Sequence, residues 1–329
     1  MTGGRRIVLP NFLIVGAAKS GTTSLYYYIK QHPEVFMSQL KEPHFFLAQF
    51  VQLPLKGVGD NRKKLVNSYQ DYCKLFEHAF EEKAIGEASG SNLYYYGNTI
   101  PYIKQYLDDP KIIIILRNPV ERAFSAYISL VLQGREWLSF EEALGQESHR
   151  ISAGWRHSWF YTDLGFYYNQ VRAYMENFSE VKVCFFEDLL KNPGCLVQVI
   201  YSFLDVDPSF LPDTSRRFSV SGLPRSKVAT LLMRPTGLQS TITTLAKSIL
   251  TERIWMKLRD AVRDRLLMKS QMKLETRRYL CDLFHEDILK LQGLLRKDLT
   301  PWLDGCASTS FVELPAVCGN RSHEERPEV

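Results

Sequence analysis

The run Phe12-Leu13-Ile14-Val15-Gly16-Ala17-Ala18-Lys19-Ser20-Gly21-Thr22-Thr23-Ser24 decides how this chain folds. Four apolar residues lead into small ones, and a helix-compatible segment, residues 22–31, follows. A strand, a tight turn and a helix in that order gather backbone N–H groups around a loop and aim the positive end of the helix into it, which suits an anion. The spacing from Gly16 to Gly21 is that of a Walker A loop, GxxxxGK[ST]. Thr22, however, stands where the lysine of that loop belongs, and the lysine lies inside the loop as Lys19. A nucleoside triphosphatase needs its lysine on the β- and γ-phosphates and a hydroxyl on Mg²⁺. A cation drawn into the loop suits a shorter anionic group. The plainer alternative is a glycine turn with a surface lysine.

Outward from this loop, short apolar runs alternate with helical patterns. Residues 83–87, 111–116 (KIIIIL) and 181–186 (VKVCFF) read as further strands, the last two continuous enough to be buried on both faces. Residues 98–107, 119–133, 166–178 and 193–204 read as helices, with Pro101 placed in a first turn and Pro119 opening its helix. Ser139 and Glu142 have capping-box spacing. After about residue 205 the strands stop, a basic Pro/Ser-containing loop follows to residue 227, and helices continue to about residue 295. Strands separated by helices give an α/β fold with a central parallel sheet flanked by helices and a helical C-terminal part. Residues 1–303 are read as one domain and 304–329, which lose periodicity, as a mobile tail.

Bulk properties narrow the function. Lys plus Arg exceed Asp plus Glu by 41 to 36, so the net charge is only +5. That balance fits an anionic small ligand and not a dedicated nucleic-acid face. The cysteines, Cys73, Cys184, Cys195, Cys281, Cys306 and Cys318, form no CxxC pair and no zinc spacing, so no metal site is expected. Scattered thiols fit a reducing compartment. With no signal-type apolar region and no run of membrane-spanning length, a cytoplasmic protein without a membrane span is expected. On that expectation the Asn177 and Asn320 sequons carry no weight.

The strand at 111–116 delivers Arg117-Asn118-Pro119-Val120-Glu121-Arg122-Ala123-Phe124-Ser125-Ala126-Tyr127. Arg117 falls at the carboxyl end of a strand, where open α/β sheets bind ligands, and Ser125 falls on the following helix. A guanidinium and a hydroxyl converging on one phosphate make charge-assisted hydrogen bonds.

Together these motifs resemble PAPS-dependent sulfotransferases, PAPS being 3′-phosphoadenosine 5′-phosphosulfate. The first is similar to the family's 5′-phosphosulfate loop. The second meets every fixed position of its 3′-phosphate motif, RxPxxRxxSxY. Lys41-Glu42-Pro43-His44-Phe45-Phe46 resembles the segment after the loop helix in heparan-sulfate-type and bacterial members, Gly86-Glu87-Ala88-Ser89 a strand end of bacterial members, and Leu299-Thr300-Pro301-Trp302-Leu303 the end of the domain. The resemblance covers about residues 11–303. It implies a P-loop-like three-layer fold and PAPS as sulfuryl-donor cosubstrate, with no metal required. It places Lys19, Ser20, Gly21, Thr22 and Thr23 on the phosphosulfate, and Arg117 and Ser125 on the 3′-phosphate. Ser221 to Lys227 is similar to a loop that closes over the nucleotide, with Arg225 as a further phosphate contact.

An alcohol acceptor must lose a proton. Glu42 matches the glutamate proposed as general base in heparan-sulfate-type enzymes. His44 is the second candidate, since its ordinary pKa suits the work. Glu42 pairing with Lys19 or Lys41 merely to organise the loop is the competing reading. Two departures weaken a heparan acceptor: Leu47 stands where glucosaminyl 3-O-sulfotransferases carry an aspartate, and Ala88 where they carry a lysine. The expected partner is a hydroxyl-bearing small molecule or glycan, without nucleic acid. Its pocket is expected in residues 134–165, among Trp137, Trp155, Trp159, Phe160, Tyr161, Arg135, Arg156 and His157, with Tyr94 to Tyr96 adding to it. A P-loop nucleotide kinase and a non-catalytic nucleotide-binding protein are the alternatives. The displaced lysine speaks against the first, and the intact Lys19, Glu42, Arg117 and Ser125 against the second.

Overall fold

Strands buried on both faces alternate their side chains between two cores, and that alternation organises this chain. A computed structural model describes residues 8–51, 56–58, 65–216, 223–224, 267–268 and 271–304. Strands β1 (Phe12–Gly16), β2 (Val35–Met37), β3 (Ala84–Ala88), β4 (Lys111–Leu116) and β5 (Val181–Phe185) form one sheet in the order β2-β3-β1-β4-β5, with every pairing parallel. Leu13, Val15, Ile112, Ile114 and Leu116 point into one core, and Phe12, Ile14, Ile113 and Ile115 into the other. The period of two along each strand is what a sheet covered on both sides requires.

Helices α1 (Thr22–Ile29), α9 (Phe186–Lys191) and α10 (Pro193–Phe203) supply the second core. The first is covered by α2 (Phe45–Ala48), α3 (Tyr69–Lys74), α4 (Tyr96–Leu107), α5 (Pro119–Leu132), α6 (Phe140–Gly145), α8 (Tyr167–Asn177), α11 (Leu274–Leu295) and α12 (Thr300–Asp304). Helix α7 (Glu147–Ser152) lies beside α6. Helix α11 packs on α5 and α8, so the helical C-terminal part closes the layer carrying the second motif. This is the three-layer, P-loop-like α/β fold expected. The Ser139 capping box forms with both of its hydrogen bonds.

Four readings need adjustment. Helix α4 begins at Tyr96, two residues earlier than its sequence pattern indicates, so Pro101 lies inside the helix and not in its first turn. β2, three residues long at the sheet edge, is too short to show periodicity. An antiparallel pair, β6 (Leu223–Pro224) with β7 (Leu267–Met268), occurs beyond residue 205. Cys281 is disulfide-bonded, whereas Cys73, Cys184 and Cys195 are free thiols. The proposed phosphate contact Arg225 and the tail beyond Asp304 also lie outside the described residues. Among the described residues, no helix is long and apolar enough to cross a membrane.

Candidate active site

Because β1 and β4 are parallel neighbours, the loops leaving their carboxyl ends lie side by side. Arg117 Nη1 donates to the Lys19 carbonyl at 3.4 Å, joining the two motifs, and its guanidinium lies 4.6 Å from the centre of the Phe186 ring. Between the loops opens a cavity of about 250 Å³. Lys19, Gly21, Thr22, Thr23, Arg117 and Ser125 line it on one side, and Glu42 and His44 also reach it.

Local geometry explains the loop. Gly21 caps α1 in the left-handed region, at φ 97°, and a Cβ there would come within 2.8 Å of Leu189 and 2.9 Å of Phe186. Only glycine fits both constraints. The first-turn amides of α1, from Thr22 onward, have no acceptor inside the helix, and Thr22 and Thr23 line the cavity. Ser20 differs from its neighbours: it is fully buried, its N–H donates to the Ala17 carbonyl, and it is not among the cavity-lining residues.

The electrostatics favour an anion. Lys19, Arg117, Arg122, Arg135 and Arg156 line the cavity, with Glu42 as the one carboxylate among its lining residues. Burial, then the charge of Arg117, push Lys19 down to about 8, and Glu42 only partly offsets them. Burial raises Glu42, but His44 and the charge of Lys41 outweigh it and hold the carboxyl well below the usual range. Its oxygens lie 3.0 Å from Lys41 Nζ and 3.6 Å from His44 Nε2. Glu42 and His44 both adopt left-handed backbone, at φ 59° and 54°. Non-glycine residues hold such angles only where their surroundings dictate them.

The sequence model of the Sulfotransferase family matches residues 10–210, which contain both loops and the Glu42 segment. The chain belongs to the sulfotransferase family. A crystal structure of a sulfotransferase from Alicyclobacillus acidocaldarius superposes with a TM-score of 0.71 at 33% identity, covering 90% of this chain and 99% of that one. Membrane-associated sulfotransferase kil1 of Dictyostelium discoideum is 34% identical over 129 residues, 38% of this chain and 24% of that protein. Carbohydrate sulfotransferase 15 of Mus musculus is 29% identical over 165 residues, 41% of this chain and 29% of that protein. These matches thus span about a quarter of the length of the two curated relatives.

Within this sulfotransferase site, two features escape a linear reading. Arg122, almost fully buried, lines the cavity beside Ser125, Ala126, Ser129 and Gln133. That spacing marks one face of α5, so the helical period carries the signal. The expected aromatic acceptor wall is the second. Trp159, Phe160 and Tyr161 are core residues and Trp137 is exposed, whereas the expected Arg135, Arg156 and His157 do line the cavity, joined by Ser158. Rings in a three-layer fold fill cores before they line clefts. No cluster of metal-ligating residues occurs among the described residues.

Proposed function

We propose that this chain transfers a sulfuryl group from PAPS to an alcohol hydroxyl, with adenosine 3′,5′-bisphosphate as the leaving product. One observation carries the reading: a single cavity sets Lys19, the start of α1, Arg117 and Ser125 together with Glu42 and His44. The residues fit the nucleotide's anionic groups, and Arg122 Nε is a buried donor with no partner among the described residues. PAPS, when bound, supplies an activated sulfuryl group. Lys19 and the first-turn amides of α1 hold its 5′ side and stabilise charge growing on the departing phosphate oxygen. Arg117 and Ser125 hold the 3′-phosphate. Glu42 accepts the acceptor's proton at a carboxylate oxygen, and His44 keeps that carboxylate in place.

The acceptor is a glycan or another polyhydroxylated molecule. Gln133, Arg135, Arg156, His157 and Ser158 offer hydrogen bonds where a phenol or sterol would need an apolar wall. The test is transfer from ³⁵S-labelled PAPS to separate pools of oligosaccharides, glycolipids, phenols and sterols. Labelled product from the oligosaccharide pool supports the reading, product from sterols alone overturns the acceptor class, and no transfer to any pool overturns the activity.

A further inference from the structure

Behind the strained turn lies a carboxylate that the reaction does not touch. Glu87, the penultimate residue of β3, is fully buried. Its Oε2 accepts the Ser89 hydroxyl at 2.8 Å, and its Oε1 has no hydrogen-bond partner among the described residues. A buried carboxyl with an unmet oxygen works against folding. An apolar residue would suit this position better unless the carboxyl serves the site.

What it holds is specific. Ser89 Oγ accepts the His44 backbone N–H at 3.2 Å, while the Glu42 N–H donates to the Ala88 carbonyl at 2.9 Å. The His44 ring, through Nδ1, lies 3.0 Å from Ser91 Oγ. The left-handed Glu42–His44 turn is therefore fastened to the end of β3 at each of its two unusual residues. A serine hydroxyl has one proton and two lone pairs. When that proton is committed to Glu87, a lone pair is left for the His44 N–H. Without Glu87 the hydroxyl rotates, and the fastening weakens.

We propose that Glu87 is a positioning residue for sulfuryl transfer, acting through Ser89 to fix the turn that presents Glu42 and His44 to the acceptor. This rests on the sulfotransferase reading above. The arrangement spends stability on geometry, as functional sites do. Burial pushes the Glu87 carboxyl up to about 7, the Ser89 hydroxyl working against this and the nearby Glu42 charge adding to it. Replacing Glu87 by an apolar side chain of similar volume should therefore spare the core and disturb the turn.

The experiment measures kcat with ³⁵S-labelled PAPS and the oligosaccharide pool, Kd for adenosine 3′,5′-bisphosphate, and Tm. The proteins are wild type, Glu87→Met, Glu87→Gln, Ser89→Ala and the Glu87→Met/Ser89→Ala double variant. Glu87→Met should fold with equal or higher Tm, lose roughly 10- to 100-fold in kcat, the scale of an ångström-sized misplacement, and keep its nucleotide Kd within about twofold. Ser89→Ala should lose as much, and the double variant no more than either single one, because both cut one connection. Glu87→Gln, which retains an acceptor oxygen, should recover most of the rate. An unchanged kcat in Ser89→Ala, multiplicative losses in the double variant, or a parallel loss of nucleotide affinity each overturn the inference. If Glu87→Met does not fold, Ser89→Ala and Glu87→Gln decide by the same criteria. A wild type that neither binds the bisphosphate nor transfers sulfate sinks the sulfotransferase reading instead, and the two failures are thereby distinct.

Discussion

Arg117 and Lys19 lie 98 residues apart in sequence, yet the guanidinium of the first donates to the backbone carbonyl of the second. Their mutual repulsion contributes to lowering Lys19, second only to burial. The free site is thus electrostatically incomplete, and an anion relieves it.

That relief should be measurable as a proton. Lys19 is pushed down to about 8 in the free protein, and a bound phosphate raises it again. Between these two values, binding of adenosine 3′,5′-bisphosphate takes up a proton, and affinity falls as pH rises past about 8. The phosphates themselves are fully ionised there, their second pKa being about 6. Calorimetry at pH 8.5 in buffers of differing ionisation enthalpy should show the uptake, and Lys19→Ala should abolish it. The free protein has the opposite trend. The unfolded chain, with lysine at its ordinary value of 10.5, binds more protons than the folded one between 8 and 10.5, so this group makes stability rise with pH across that window. Lys19→Ala should also cut turnover by ~10²-fold or more, the scale of losing one transition-state donor.

Arg117 and Ser125 predict selectivity for the 3′-phosphate. Wild type should bind adenosine 3′,5′-bisphosphate more tightly than adenosine 5′-phosphate, and Arg117→Ala should erase about 2 kcal/mol of that preference. Equal calorimetric affinities in the wild type would remove the assignment.

Four of the five strands of the parallel sheet and both loops were legible because local signals and tertiary burial agree there. KIIIIL alternates between two cores, so its apolar residues serve both faces. Arg117 and Ser125 were singled out through the motif resemblance, and the structure brings both to the wall of one cavity. Glu87 was not legible, since its importance lies in a hydroxyl it orients and a turn that hydroxyl holds. Of the expected pocket region, Arg135, Arg156 and His157 reach the cavity but the aromatic wall does not form, since composition shows aromatic residues but not which of them the core claims. Trp159 is wholly buried while His157, two residues earlier, reaches the cavity.

Gly21 should tolerate no side chain. At φ 97° an alanine is strained, and its Cβ meets Leu189 and Phe186 below 3.0 Å. Phe186 in turn lies against Arg117, so the disturbance reaches the second motif. Gly21→Ala should lose about 1–3 kcal/mol of stability by denaturant unfolding and bind the bisphosphate more weakly.

The charges on the cavity wall predict that turnover needs no metal ion. Five Lys and Arg side chains line the cavity against the single carboxylate of Glu42. Protein cations are thus placed where they could supply the positive charge that a divalent ion supplies in nucleoside triphosphatases. Turnover should survive EDTA. Loss with EDTA and recovery with Mg²⁺ would favour the kinase alternative.

Glu42 gives the sharpest test of the chemistry. Its carboxyl, held low by His44 and Lys41, is ionised at neutral pH, so an oxygen is open to a proton. The need for a base depends on the acceptor. An aliphatic hydroxyl keeps its proton at neutral pH and must lose it during transfer, whereas a phenol with an electron-withdrawing group is already partly ionised. Glu42→Gln preserves size and removes basicity. It should cost ~10²–10⁴-fold in kcat with an alcohol acceptor and far less with p-nitrophenol, and leave bisphosphate affinity nearly unchanged. If Glu42 served only to neutralise Lys41 and order the loop, both acceptors would lose rate equally and nucleotide affinity would fall with them. Two acceptors and one binding constant on this variant separate the readings. Alcohol turnover that survives Glu42→Gln would move the base elsewhere, with His44→Ala as the next variant to measure.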